Sequence, residues 1–308
     1  MPFHKNRLAA KKGALKLRST ILRTLREFFS QRDYTEVETP CRIPLPIPEA
    51  HIRPAPSGTW FLQTSPEICM KQMLAAGYDR IYQICRCFRQ GERGRRHLPE
   101  FTLLEWYAAG KDYRFMMREC ELLFAHLAGR IRAEWTVTYG GTSTDLNPPW
   151  PRRTVAEAFN SFSPVPLDQA MAENRFDEMI GIHIEPHLGI DKPEFLIDYP
   201  AALGALARCK PGNPQVAERF ELYIGGVELC NGFSELTDPD EQRQRFALEL
   251  HARKKAGRPQ YPIPETFLAA LSSMPEAAGN AMGLDRLVML FADATEIDDV
   301  AAFAPEDL

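Results

Sequence analysis

With 308 residues, 44% of them hydrophobic, the chain can bury one large core or two small ones. A net charge of -4 argues against binding nucleic acid by bulk attraction. The seven cysteines (Cys41, Cys69, Cys85, Cys87, Cys120, Cys209 and Cys230) show no CxxC pair or metal-ligand spacing, which fits a reduced, cytoplasmic setting; no signal peptide or membrane-spanning run is visible.

Lys5, Arg7, Lys11, Lys12, Lys16 and Arg18 open the chain without an acid among them. With Leu8, Leu15 and Leu17 as the apolar side, they read as the solvated face of an entry helix. Leu17, Ile21, Leu25 and Phe28 then predict an amphipathic helix to Ser30. Asp33 to Pro40 reads as a turn, a short strand and a proline stop, 41–58 as a proline-rich loop, and Trp60 to Gln63 as a strand. Thr64-Ser65-Pro66-Glu67 begins a helix, with a hydroxyl cap and Pro in the first turn.

Arg80 to Arg89 reads as a strand, 90–99 as a polar, Gly-containing loop, and Glu100 to Tyr107 as the returning strand of an antiparallel hairpin. Alternation puts Gln83, Cys85, Cys87 and Arg89 on one face, and Phe101, Leu103, Glu105 and Tyr107 on one face. An Arg, a Glu, a Tyr and an aromatic ring can therefore converge above one sheet surface and hold a polyphosphate, a flat base and an ammonium group. Ordinary surface arginines would explain the loop, but not Glu105 inside an apolar strand. Arg93 to Arg96 reads equally as a steering surface for an acidic protein or as a solvated loop.

Tyr113 to Ile131 is predicted helical, 140–151 a loop, and 152–192 a mostly helical insertion. His183-Ile184-Glu185-Pro186-His187 resembles a metal-binding pair, but Pro186 breaks the helix such a pair needs. After a strand at Phe195 to Tyr199, Arg219 to Leu236 forms a second hairpin about Gly225-Gly226. The register places Ile224 opposite Val227, Tyr223 opposite Glu228 and Glu221 opposite Cys230. Glu221 and Glu228 become diagonal neighbours, roughly 7–8 Å apart at Cα, a pair suited to Mg2+ bridging to phosphates. Helices follow at Asp238 to Lys255 and Glu265 to Ser273. Gly279 to Leu290 is a small-residue strand turning into a helix, with Arg286 in the first turn, where helix N–H groups favour an anion. Neither a P-loop nor a GxGxxG motif is present.

Together these pieces resemble the catalytic core of class II aminoacyl-tRNA synthetases, most closely lysyl-tRNA synthetase. Glu36-Val37-Glu38-Thr39-Pro40 is similar to motif 1, which builds the family's dimer interface. Residues 80–107 resemble motif 2 and 279–290 motif 3. Glu221…Glu228-Leu229…Asn231-Gly232-Phe233-Ser234-Glu235-Leu236 resembles the lysine and magnesium segment. The resemblance implies an α+β fold, an antiparallel sheet flanked by helices, forming a single catalytic domain over 1–308. With motif 1 starting near residue 33, no anticodon-binding domain is expected.

The resemblance also implies roles. Arg89 and Arg286 would be catalytic, Arg89 bridging the substrate carboxylate and the α-phosphate of ATP. Arg89, Gln90, Gly91, Leu98, Phe101, Glu228, Leu229, Gly283 and Arg286 would bind ATP, with adenine between Phe101 and Arg286. Glu221 and Glu228 would hold Mg2+. Ser65, Pro66, Glu67, Glu105, Tyr107, Asn231, Glu235 and Ala281 would bind the amino acid, and several carboxylates around one pocket point to a dicationic substrate. The family's motif 2 acid is replaced by Gly91, with Glu92 one place later. Ser65 and Ala281 match a free-standing synthetase paralog, where the synthetase itself usually has alanine and glycine. The implied activity is adenylation of (R)-β-lysine by ATP and transfer to a lysine of elongation factor P, by a homodimer that does not use tRNA. A truncated synthetase activating α-lysine and a non-catalytic nucleotide-binding paralog are the alternatives.

Overall fold

The computed structural model describes residues 5–131 and 134–308. Its main sheet has nine strands: β1 (Thr35–Glu36), β2 (Arg80–Phe88), β3 (Glu100–Ala109), β4 (Arg152–Thr154), β5 (Glu194–Pro200), β6 (Cys209–Lys210), β7 (Asn213–Ile224), β8 (Val227–Ser234) and β9 (Ala277–Gly283). The order is β1-β2-β3-β9-β8-β7-β5-β4, with β6 paired to β7. The central pairs are antiparallel; the outermost pairs, β1 with β2 and β4 with β5, are parallel. The sheet is thus mixed at its edges, where two-residue and three-residue strands gave no periodic signal to read.

Alternation along the strands makes the two faces chemically different. Leu104, Trp106, Phe220 and Leu222 point into the largest core, packed beneath the Lys12–Ser30, Tyr113–Ile131 and Leu284–Ala292 helices. The other face carries polar side chains in one transverse row. Gln83 pairs with Glu105, Glu105 with Ala281, Ala281 with Asn231, and Asn231 with Glu221. Directly opposite residues in antiparallel strands share a face, so this row forms a floor across five strands.

The row corrects one register. Ile224 opposite Val227 and Tyr223 opposite Glu228 stand as the Gly225-Gly226 turn requires, both glycines having positive φ of 59° and 69°. Glu221, however, faces Asn231 rather than Cys230, because the register shifts between Leu222 and Tyr223 and leaves Leu229 as an extra residue in β8. This bulge puts Glu228 and Asn231, three apart in sequence, on the same face as Glu221, while Leu229 and Cys230 are buried.

Three other expectations hold only in part. Residues 140–151 include half of a hairpin, Thr136–Tyr139 with Thr142–Asp145, turning on the positive-φ pair Gly140-Gly141. The 152–192 stretch begins with β4 before its short helices, which pack around Phe159, Phe176 and Met179 against Tyr199 and Tyr223 of the sheet. The basic N-terminal face is solvated at Arg7, Lys12 and Lys16 but not throughout. Lys11 is buried with Nζ 3.3 Å from Asp307, and Arg7 pairs with Asp307 and Asp298.

Arg18 completes a clamp that positions the last helix. Its guanidinium lies 2.5 Å from Asp285 Oδ1 and donates to Thr102 Oγ1 at 2.7 Å, while Thr102 N–H donates to Asp285 Oδ2 at 2.6 Å. Asp285→Ala strands Arg18 and a buried amide; it should destabilise the fold by about 3 kcal/mol in denaturant titration, whereas a loss below about 0.5 kcal/mol would show the clamp to be dispensable.

Candidate active site

Above the polar row lies a cavity of ≈ 360 Å³. Among its lining residues are Ser65, Glu67, Arg89, Leu98, Phe101, Glu105, Glu228, Leu229, Asn231, Ala281, Gly283 and Arg286. Two β-ribbons and one helix start therefore converge on it. Other expected residues lie elsewhere. Pro66 and Tyr107 are buried outside the lining, Glu235 is buried behind it, and Gln90 and Gly91 are exposed on the hairpin tip. Glu221 lines a neighbouring cavity together with Glu228.

One end of the cavity is cationic. The Arg89 guanidinium stacks 5.0 Å from the Phe101 ring centroid, and its buried Nε has no hydrogen-bond partner. An unsatisfied buried donor suits an anion. Arg286 is held on three sides: it donates to Glu228 O at 2.9 Å and Glu228 Oε2 at 3.0 Å, reaches Arg96 O at 3.3 Å, and meets His97 Nε2 at 2.6 Å. Burial, then the adjacent Arg286 charge, lowers the His97 pKa and keeps the ring neutral, so Nε2 accepts from the guanidinium.

The loop arginines are tied within the chain. Arg93 pairs with Asp298 at 2.7 Å and Glu306 at 2.9 Å, Arg95 with Glu296 at 2.8 Å, and Arg96 donates to Gly226 O at 2.9 Å. The C-terminal segment thus tethers this loop over the cationic end of the cavity, while Arg93 and Arg95 themselves stay exposed to solvent.

The other end is anionic, and buried behind its lining is a residue that sequence reading missed, Lys71. Its buried Nζ lies 2.6 Å from Glu67 Oε1, 2.5 Å from Glu235 Oε2 and 5.0 Å from the Phe233 ring centroid. Its i,i+4 spacing from Glu67 on the Glu67–Ala75 helix was the available signal. Glu105 accepts from Ser65 Oγ at 2.5 Å and from Tyr107 OH at 2.8 Å. Glu235 Oε1 is buried without a hydrogen-bond partner. Gly279 has no room for a side chain: a Cβ there would sit 2.3 Å from the Tyr107 ring and 2.6 Å from Glu235 Oε1.

Two carboxylates thus flank one ammonium group, and Glu105 is a third acid close enough to feel both Glu67 and Lys71. Burial raises the Glu105 pKa to about 8, with the Glu67 charge adding to it against the Ser65 and Tyr107 hydrogen bonds. Burial likewise raises Glu235 to about 8 despite Lys71. Farther along the row, Glu221 accepts from Tyr199 OH at 2.6 Å and Tyr223 OH at 2.7 Å, and from Arg219 at 2.6 Å. Burial raises its pKa too, Arg219 opposing and the Glu228 charge reinforcing.

Comparison with known proteins gives the family. Residues 3–307 match the family described as tRNA synthetases class II (D, K and N). The chain belongs to the class II aminoacyl-tRNA synthetase family. It is 40% identical over 304 residues to the elongation factor P–(R)-β-lysine ligase of Edwardsiella ictaluri, with 93% of each chain covered. It is 38% identical over 322 residues to the protein of that name from Vibrio cholerae, with 94% of each covered. It is 36% identical over 314 residues to the lysine–tRNA ligase of Carboxydothermus hydrogenoformans, covering 93% of this chain and 64% of that protein. The α+β synthetase core expected from the motifs is the fold observed, and the chain is an ATP-dependent ligase of this family. No helix among the described residues is long and apolar enough to cross a membrane.

The raised carboxyl pKa values fix a pH dependence. A carboxyl whose folded pKa exceeds its unfolded value stabilises the fold below the unfolded pKa and loses that contribution as pH rises through the folded one. For Glu105 the window runs from 4.5 to about 8. Glu105→Gln should therefore flatten the fall in melting temperature of the ligand-free protein across that window; an unchanged slope would show that Glu105 does not titrate there.

Proposed function

We propose that the protein condenses (R)-β-lysine with ATP to an adenylate and transfers the β-lysyl group to a lysine side chain of elongation factor P. The observation that carries this reading is the charge count at the anionic end. Among the described residues Glu67, Glu105 and Glu235 share one cation, Lys71, so ionising all three calls for two further positive charges. A diamino acid brings two ammonium groups, and its carboxylate reaches toward Arg89 at the cationic end. The relatives support the same choice, the ligases being matched over 93% and 94% of their length at higher identity and the lysine–tRNA ligase over 64%.

ATP lies on Phe101, Arg89 and Arg286, with Leu98, Leu229 and Gly283 close to it and Gln90 and Gly91 at the loop tip. Arg89 bridges the carboxylate and the α-phosphate, for which a planar guanidinium is suited. Positioning and charge neutralisation supply most of the rate, because in-line displacement at phosphorus needs little side-chain proton transfer. Glu221 and Glu228 suit Mg2+, which takes one or two carboxylates when a triphosphate provides other oxygens. Alone they do not make a cage, and no group of three metal-type ligands assembles among the described residues. Pro66 shapes the turn that presents Ser65 and Glu67, while Tyr107 fixes Glu105. The segment 36–40 forms a homodimer interface, and the enzyme works in the cytoplasm without tRNA.

Preference for the β-isomer rests on the floor. Ser65 Oγ holds Glu105, and the Ala281 methyl stands between Glu105 and Asn231 in the transverse row. An amino group moved one carbon along the chain fits above that methyl. ATP–pyrophosphate exchange should respond far more to (R)-β-lysine than to α-lysine, and mass measurement of elongation factor P should show the added β-lysyl group. Greater exchange with α-lysine, together with charging of total tRNA, would favour the synthetase reading. Ala281→Gly should narrow the preference by about tenfold; an unaltered ratio removes the methyl from the account. Arg89→Ala should lower exchange by about a hundredfold or more, and near-normal exchange would exclude its bridging role.

A further inference from the structure

A second cavity, of ≈ 710 Å³, adjoins the catalytic one. Six residues line both: Glu49, Ile52, Ala205, Leu206, Arg219 and Glu228. Its outer part is exposed at Asp177, Gly181, Ala202 and Leu248. Its wall is strongly acidic. Asp177, Glu185, Glu241 and Glu249 join Glu49, Glu221 and Glu228 there, against His51, Arg219 and Arg245. The two arginines are already engaged, Arg219 with Glu221 at 2.6 Å and Arg245 with Glu241 at 2.5 Å. Such a wall attracts a cationic chain and repels the phosphates of an RNA end.

Glu49 sits at the junction. Its carboxylate has no hydrogen-bond or ion-pair partner among the described residues, unlike Glu249, which accepts from Ala50 N–H at 2.6 Å. The charged groups that act on it are Arg89 from the motif 2 strand end, Glu67 from the helix below, Glu92 from the loop and Glu249 from the Pro239–Lys255 helix. Arg89 is the residue placed at the adenylate carbonyl and phosphate.

We propose that this larger cavity is the entry channel for the lysine side chain of the acceptor protein, and that Glu49 receives the incoming ammonium group and takes its first proton. The inference rests on the ligase function proposed above. The freed amine attacks the adenylate carbonyl; the new C–N bond forms, the C–O bond to phosphate breaks, and AMP leaves with the electron pair. The second proton of the nitrogen passes to water. Burial lifts the Glu49 pKa to about 7, Arg89 opposing and Glu67, Glu249 and Glu92 reinforcing, which matches a base working near neutral pH.

The test separates channel from chemistry. Enzyme is first loaded with adenylate, and single-turnover transfer is then followed to elongation factor P and to hydroxylamine, a nucleophile small enough not to need the channel. Ala202→Trp, at a position that lines only the larger cavity, should leave β-lysine-dependent pyrophosphate exchange and hydroxylamine capture unchanged while slowing transfer to the protein by more than about tenfold. Transfer at the wild-type rate through the blocked channel overturns the proposed route. Glu49→Gln should slow transfer about a hundredfold at pH 8 and abolish the rise in rate that wild type shows up to about pH 7; Glu49→Asp should restore that rise. A wild-type pH profile in Glu49→Gln overturns the role of Glu49. Absence of β-lysine-dependent exchange in the wild type is a different failure: it removes the ligase reading, and the channel with it.

Discussion

The interaction on which the site depends is the clustering of three carboxylates, Glu105 and Glu235 of them buried, with the single ammonium of Lys71. Charges leave water only when paired, and Lys71 answers one carboxylate's worth of charge. The remainder is held by hydrogen bonds from Ser65 and Tyr107 and by protonation, which is why burial raises Glu105 and Glu235 to about 8. An arrangement of this kind is costly for the empty protein and favourable for one that holds a diamine. The same cluster ties the Glu67–Ala75 helix to the end of β8, so the proposed substrate recognition and local folding share their atoms.

The sheet supplies the geometry. Its transverse row places Glu105, Ala281, Asn231 and Glu221 side by side, although they come from segments far apart in sequence. The bulge at Leu229 is what lets Glu228 join them. The Arg18–Asp285–Thr102 clamp then fixes where the last helix starts, and with it Arg286. The C-terminal acids hold the motif 2 loop across the top through Arg93 and Arg95. A cationic end and an anionic end are thereby set in one cavity, as the proposed triphosphate and diamine require.

Much of this was legible in the sequence. The two hairpins, the Tyr113–Ile131 helix and the strand-to-helix turn before Arg286 carry strong local patterns, and Glu105 stood out as an acid in an apolar strand. What was missed depends on long-range contacts. A bulge leaves no mark in the alternation of eight residues, so Glu221 was given the wrong partner. Lys71 looked like any helix-surface lysine until the end of β8 came to lie beside it. Of the N-terminal basic residues, Lys11 and Arg18 are drawn in because the acids that pair with them, Asp307 and Asp285, lie far away in the chain where no local pattern shows them. Glu49 lay in a proline-rich loop with no periodicity to place it.

The central claim is that the empty site stores protons that a diamine displaces. Calorimetric titration of the protein with (R)-β-lysine at pH 7, repeated in buffers of different ionisation enthalpy, counts them directly. Because Glu105 and Glu235 titrate near 8 when the site is empty, binding should release about one to two protons. Binding without proton release, or equal affinity for an amino acid carrying a single ammonium group, would contradict the account.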